Sequence, residues 1–235
     1  MSTLHTITEE EIKNYEASVQ GDQAKMEEFY YNDMKPAGYG GQVMLQRMNM
    51  KHATLSEWGL KYLPVHEDSC VLDVGCGGGA NITRLLAMCP KGKVAGIDHA
   101  ELSAEKCAAE HAEDIKAGRC RVCAADVAKL PFADGEFDAV TAFETVYFWP
   151  EIDKAFTEIM RVLRPGGSFL ICHECDGTDA EMRATWEKMI PGLKMYRLDE
   201  VTTFMERNGF VDLKSDTKKE NGWYVLVGHK PSSTA

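Results

Sequence analysis

Apolar and polar positions along the chain follow two rhythms, and the change between them falls near Ser69. Ahead of that point apolar residues recur at helical spacing. Residues 8–35 read as helix, with Thr8 as N-cap and Glu11 as its capping-box partner. Pro36, Gly38, Gly40 and Gly41 interrupt the pattern. Met44, Leu45 and Met48, with Leu55 beyond, then recur on one face of a second helix from about Gln42 to His52. A third piece, Leu55–Tyr62, stops before Pro64. From Ser69 short apolar runs alternate with helical stretches. Cys70–Val74, Val94–Ile97, Arg121–Ala124, Phe137–Ala142 and Ser168–Cys172 read as strands. Asn81–Met88, Ser103–Lys116 and Ile152–Val162 read as the helices between them. Such alternation predicts a largely parallel sheet covered on both faces. The remainder departs from it. Asp179–Met189 and Asp199–Asn208 read as helices, and Val211–Asp216 and Trp223–Gly228 as strands joined by the polar turn KKENG. That hairpin makes one edge of the sheet antiparallel. The final residues, 231–235, read as a frayed tail.

Composition narrows the class. Hydrophobic residues make up 44% and charged residues 27% of the 235, which is globular rather than disordered. No apolar run approaches the roughly 20 residues of a membrane span. Met1–Glu11 holds no apolar signal region, so the expected location is cytoplasmic. The net charge of −11 repels phosphate backbones and anionic lipid, which excludes nucleic acid and membrane surfaces as expected partners. A small-molecule substrate is favoured, on a monomer or closed homodimer. The eight cysteines lie mostly in apolar stretches and read as reduced thiols.

The strongest signal is VLDVGCGGGAN, residues 71–81. Gly75, Gly77, Gly78 and Gly79 stand between a strand and a helix, where backbone without side chains turns sharply and approaches a ligand. A dinucleotide loop uses the same physics, and Gly75, Gly77 and Ala80 partly satisfy its spacing. Asp73 weighs against that reading, since a carboxylate beside a pyrophosphate is unfavourable but suits a cationic amine. Asp98 ends the second strand, where a carboxylate can accept two ribose hydroxyls. An N-cap role for Asp98 stays open.

Taken in order, VLDVGCGGG, VAGIDHA, CAADVAKLPFADGEFDAV and MRVLRPGGSFLI resemble the class I S-adenosylmethionine-dependent methyltransferases over residues 69–172. The likeness to the ubiquinone and menaquinone type is broad. It implies a Rossmann-like fold with a seven-stranded mixed sheet and C-terminal antiparallel hairpin. Residues 69–230 would bind S-adenosylmethionine, with a helical insertion at about 176–196, and residues 1–68 would form a helical cover. Gly75, Cys76 and Gly77 would wrap the methionine part of the cofactor, with Asp73 at its amine. Asp98 would hold the ribose with His99 nearby. Asp126 and the Val127 amide would meet the adenine, unless Asp126 bonds only its own backbone. Glu144 would contact cofactor or substrate. Tyr31 would cover the cofactor, and Tyr30 and Tyr39 the substrate.

The fourth and fifth strands end in FETVYFWP and ICHECDG, where a ligand of an open sheet lies. Tyr147 and Trp149 would wall the acceptor, and aromatic faces suit a sulfonium. His173, with a reference pKa near 6.5, would be the general base, with Glu174 orienting it or acting alone. Adjacent strand residues point oppositely, so the two share a pocket only if the strand has ended. Cys120-x-x-Cys123 and Cys172-x-x-Cys175 have zinc-like spacing, but sit on strands that the fold separates, so no metal is expected. The expected reaction is methyl transfer to nitrogen, oxygen or sulfur, less favourably carbon, of a partly apolar metabolite. Its rivals are a nicotinamide-dependent oxidoreductase and a non-catalytic S-adenosylmethionine-binding protein.

Overall fold

The computed structural model describes residues 4–190 and 192–232, so 233–235 of the expected tail lie outside the described residues. Four helices lead the chain: α1 (Glu9–Val19), α2 (Gln23–Met34), α3 (Gly38–Lys51) and α4 (Ala53–Gly59). The Thr8 capping box is present, with Glu11 N–H donating to Thr8 Oγ1 at 3.2 Å and Thr8 N–H to Glu11 Oε2 at 2.8 Å. The helix read over 8–35 is divided. Gly21 turns at φ +80°, and Asp22 caps the next helix by accepting from Lys25 N–H at 3.2 Å.

The glycines ahead of Gln42 do not break the second cover helix; they begin it, so α3 starts at Gly38. Gly38 holds φ +57° at its start, and Gly40 and Gly41 serve close approach. A Cβ on Gly41 would lie 2.7 Å from the Pro36 carbonyl carbon and 2.9 Å from Leu102 Cδ2. One on Gly40 would lie 2.2 Å from Tyr15 Oη. Small residues here let α3 seat against α1, the α2–α3 connection and Leu102.

The strands are β1 (Cys70–Val74), β2 (Lys93–Asp98), β3 (Cys120–Ala124), β4 (Phe137–Phe143), β5 (Leu163–His173), β6 (Val211–Lys218) and β7 (Trp223–His229). They form one seven-stranded sheet in the order β3-β2-β1-β4-β5-β7-β6. The pairs among β1 to β5 are parallel, while β7 runs antiparallel to both β5 and β6. Between strands lie α5 (Ala80–Met88), α6 (Glu101–Glu110), α7 (Ala112–Lys116), α8 (Ile152–Val162), α9 (Ala180–Met189) and α10 (Leu198–Arg207). The stretch read as one helix over 103–116 is divided at His111 into α6 and α7.

Strand alternation splits the core in two. Leu72, Val74, Phe169 and Ile171 face one cluster with Phe156 and Ile159 of α8. Val71, Leu170 and Cys172 face the other with Leu55 of α4 and Ile82 and Leu85 of α5. Burial on both faces explains why these strands read as unbroken apolar runs. Three strands stand between β3 and β5, so the two Cys-x-x-Cys pairs lie apart, and all eight cysteines are free. Among the described residues no helix is long and apolar enough to cross a membrane.

Gly41→Ala tests how the cover is seated. The methyl group meets backbone at Pro36, which cannot swing aside, so stability should fall by about 1–3 kcal/mol. Limited proteolysis should then cut ahead of residue 60 sooner than in the wild type. An unchanged melting temperature with an unchanged cleavage rate would show that the helix is not held by this contact.

Candidate functional site

A cleft of about 230 Å³ opens beyond the carboxyl ends of β1, β2 and β4, roofed by α2 and α3. Its floor is the loop after β1. Gly75 and Gly77 hold φ +78° and +51°, a region that strains any other residue. Gly75 and Cys76 N–H both donate to Ile97 O, at 2.8 and 2.9 Å. Gly77 N–H donates to Asp98 Oδ2 at 3.0 Å, and Ala100 N–H to Asp98 Oδ1 at 2.9 Å. Loop and carboxylate therefore fix one another. Burial raises the Asp98 pKa, and the two backbone donors oppose that rise.

Gly75, Cys76, Gly77, Asp98, His99, Asp126 and Val127 line this half of the cleft. Asn81 joins them from the first turn of α5, its Oδ1 shielded from solvent and without a hydrogen-bond partner among the described residues. An orphaned acceptor beside a glycine cradle fits a ligand with polar hydrogens, as an amino-acid ammonium has. The exposed Asp126 turns back on its own backbone, with Oδ1 accepting from Ala128 N–H at 2.8 Å. Asp73 lies beneath the cradle and does not line it. It is 2% exposed and accepts from Thr141 Oγ1 at 2.6 Å, and burial pushes its pKa up to about 7. Its expected contact with a cofactor amine is corrected to an internal support of β1 and β4.

The other half of the cleft is more apolar, with Met34, Pro36, Leu45 and Met48 from the cover and Phe148, Trp149 and Pro150 from the chain after β4. Charge is confined to one place. Glu144, at the left-handed φ of +54°, lines the cleft just past β4. Its Oε2 accepts from Tyr147 Oη at 2.8 Å and its Oε1 from Glu174 N–H. Burial, with Glu174 nearby, lifts its pKa to about 7, although His52 opposes this. Glu174 carries the opposite shift. Burial would raise it, but His52 and Lys51 hold it down at about 2, with Lys51 Nζ 2.7 Å from Oε1. Asp33 completes the group, raised to about 6 by burial. His52, Glu144 and Glu174 place ligand-capable atoms within 4.8 Å of one another, and the Lys51 ammonium already supplies positive charge there.

Several expected residues stand elsewhere. His173 is still within β5 and points to the face opposite Cys172, so it does not line the cleft. It is 3% exposed, with Tyr224 Oη 2.9 Å from Nδ1, and burial lowers its pKa to about 3. An imidazole so poorly basic does not accept a proton near neutral pH, which corrects its assignment as base. Glu174 lies behind Glu144 rather than on the cleft wall, and Tyr147 likewise stands behind Glu144 and Phe148. Of the cover tyrosines, Tyr30 packs on Phe29 and Trp186, Tyr31 is exposed, and Tyr39 is exposed beside Tyr15. None of the three lines the cleft, because α2 turns Asp33 and Met34 inward. Asp33, Asn49 and Asn81 escape the sequence reading. Leu45, Met48, Asn49 and His52 recur at helical spacing on one face of α3, and that period was the available signal.

Comparison with known proteins places this geometry. Residues 72–171 match the family model described as "Methyltransferase domain". A sterol 4-C-methyltransferase of Caenorhabditis elegans is 30% identical over 174 residues, covering 67% of this chain and 50% of the relative. A fatty-acid O-methyltransferase of Mycolicibacterium smegmatis is 32% identical over 151 residues, covering 60% and 52%. The chain thus spans about half the length of these curated relatives. A solved S-adenosylmethionine-dependent methyltransferase from Aquifex aeolicus shares the fold, with a TM-score of 0.65 at 20% identity over 79% of this chain and 96% of that one.

Asp73 gives a pH test. Its native pKa of about 7 lies above the ordinary carboxylate value, so the unfolded chain loses this proton first as pH rises. Stability without ligand should therefore fall between about pH 4 and 7 on its account. Denaturant unfolding at several pH values should show a shallower fall for Asp73→Asn. An identical slope in the variant would contradict the protonated, internal role.

Proposed function

Because this chain belongs to the class I S-adenosylmethionine-dependent methyltransferase family, we propose that its cleft transfers a methyl group to a small, partly apolar acceptor seated under the N-terminal cover. The observation that carries this reading is the division of one cleft into a glycine-and-carboxylate cradle and an apolar half, meeting at Glu144. S-Adenosylmethionine, when bound, supplies an electrophilic methyl group on a sulfonium. Gly75, Cys76, Gly77 and Asn81 would hold its amino-acid end, Asp98 and His99 its ribose, and Asp126 with Val127 its adenine. Met34, Met48, Phe148 and Trp149 would position the acceptor and exclude water, so much of the acceleration comes from alignment. Glu144, on the cleft wall, would take the acceptor's proton.

Glu144 takes the role first expected of His173 because it stands on the cleft wall and titrates near neutrality. Tyr147 and the Glu174 amide aim its carboxylate. Lys51 pairs with Glu174 and holds it ionised, so Glu144 rather than Glu174 is the carboxylate that takes up the proton. The relatives' names set carbon beside oxygen as acceptor, so carbon methylation stands level with oxygen here.

Calorimetric titration with S-adenosylhomocysteine should give micromolar binding, and Asp98→Ala should weaken it roughly tenfold or more. NAD should not bind. Equal affinity in the variant would remove the ribose assignment. A panel of sterols, fatty acids and phenols, read for a mass gain of one methylene, should yield a product. With an acceptor that carries a proton at neutral pH, such as a sterol or phenol, Glu144→Gln should lower turnover by about 10²–10⁴ while leaving cofactor affinity nearly unchanged. The wild-type rate should climb with pH through about 7, as the Glu144 carboxylate loses its proton. A variant that keeps the wild-type rate and profile would exclude Glu144 as base.

A further inference from the structure

Arg84, on α5, lines the cleft on the side of the glycine cradle, and the proposed reaction gives it no part. Among the described residues it is the only lysine or arginine that lines the cleft. Its partners leave it available. Nη1 donates to Ala80 O at 3.0 Å, which folds the side chain back over the first turn of α5. Asn81, three positions earlier, lies on the same helix face. Nη2 stands 3.9 Å from Oε1 of Glu57 on α4, and that carboxylate is mostly exposed. An ion pair so long and so exposed contributes little. The nearby cations of α3 are committed, Lys51 to Glu174 and Arg47 to Glu16, each at 2.7 Å. No anion of the chain competes within the turn itself. The first turn of α5 holds no acidic residue, and Gly79 caps it without a side chain. Asp98 and Asp126, in the same half of the cleft, accept from backbone amides. Asp33 and Glu144 lie in the other half. A ligand with a carboxylate therefore meets fixed positive charge at Arg84 and repulsion at Glu144.

We propose that Arg84 is the residue by which the cleft selects a cofactor that keeps its amino-acid carboxylate, over the same molecule without it. The guanidinium pairs with that carboxylate while Asn81 Oδ1, which has no partner among the described residues, accepts from the adjacent ammonium. Nη1 keeps its bond to Ala80 O, and Nη2 exchanges Glu57 for the ligand. The exchange is favourable because the cleft shields the new pair from water and salt more than the surface shields the old one. Hydrogen bonds between two charged groups are also the stronger kind. An analogue lacking the carboxylate still covers Arg84 but leaves it nothing to pair with, so selection comes from a cost as well as a contact. The inference rests on the cofactor reading and deepens it, since it assigns one atom group of that cofactor to one side chain.

The test titrates the full chain calorimetrically with three ligands: S-adenosylhomocysteine, its decarboxylated analogue, and 5′-methylthioadenosine, which lacks the whole amino-acid end. The wild type should bind the first roughly tenfold or more tightly than the second. Arg84→Met should lose roughly tenfold or more of its affinity for S-adenosylhomocysteine, with the other two ligands nearly unchanged. Arg84→Lys should recover part of that loss, because it restores the charge without the planar fork. A parallel loss for all three ligands in Arg84→Met would mark a merely structural role and overturn the proposal, as would an unchanged affinity for S-adenosylhomocysteine. The wild-type comparison needs no variant, so it decides even if Arg84→Met folds poorly: equal affinity for the first two ligands overturns the selection. A wild type that binds none of the three sinks the cofactor reading itself. One that binds S-adenosylhomocysteine without regard to Arg84 sinks this assignment alone.

Discussion

One hydrogen bond, from the Gly77 amide to the Asp98 carboxylate, ties the turn after β1 to the end of β2, and the cleft depends on it. Without it the glycine turn has many accessible shapes, because residues with no Cβ lose the most freedom on folding. The paired amides of Gly75 and Cys76 on Ile97 O complete the restraint. The cost is a carboxylate largely removed from water, offset by two backbone donors. Such a group is ready to accept further hydroxyl donors with little reorganisation.

The second constraint is electrostatic. Asp33, Glu144 and Glu174 gather at one end of an apolar half-cleft, and they are not equivalent. Glu174 is paired with Lys51, whereas Glu144 is turned toward the cleft and kept near its titration point. Neighbouring carboxylates whose surroundings push their pKa values apart are a means of assigning one to structure and one to proton transfer. The left-handed backbone at Glu144 belongs to the same arrangement, since it aims the side chain where an extended strand would not.

Much of the fold was legible because its signals are local. Apolar runs, the glycine turn, the Thr8 capping box and the polar hairpin turn each declare themselves within a few residues. So did Gly75, Cys76, Gly77 and Asp98 as residues at strand ends, and they line the cleft. The apolar half of the cleft was less legible because it joins segments distant in sequence: Lys51 meets Glu174, and Asn49 presses against Gly78. His173 misled for a definable reason. β5 runs through it before ending, which sends the imidazole into the core and leaves Glu144, one residue past β4, at the cleft. Gly40 and Gly41 looked like breakers because composition cannot tell a turn glycine from one that admits close packing.

A crystal structure of the complex with S-adenosylhomocysteine tests the central claim most directly. The account predicts both ribose hydroxyls on Asp98, the amino-acid end against Gly75, Gly77 and Asn81, and the thioether sulfur turned toward the space between Glu144 and Met48. A ligand bound with its ribose away from Asp98, or its sulfur turned away from that space, would contradict it.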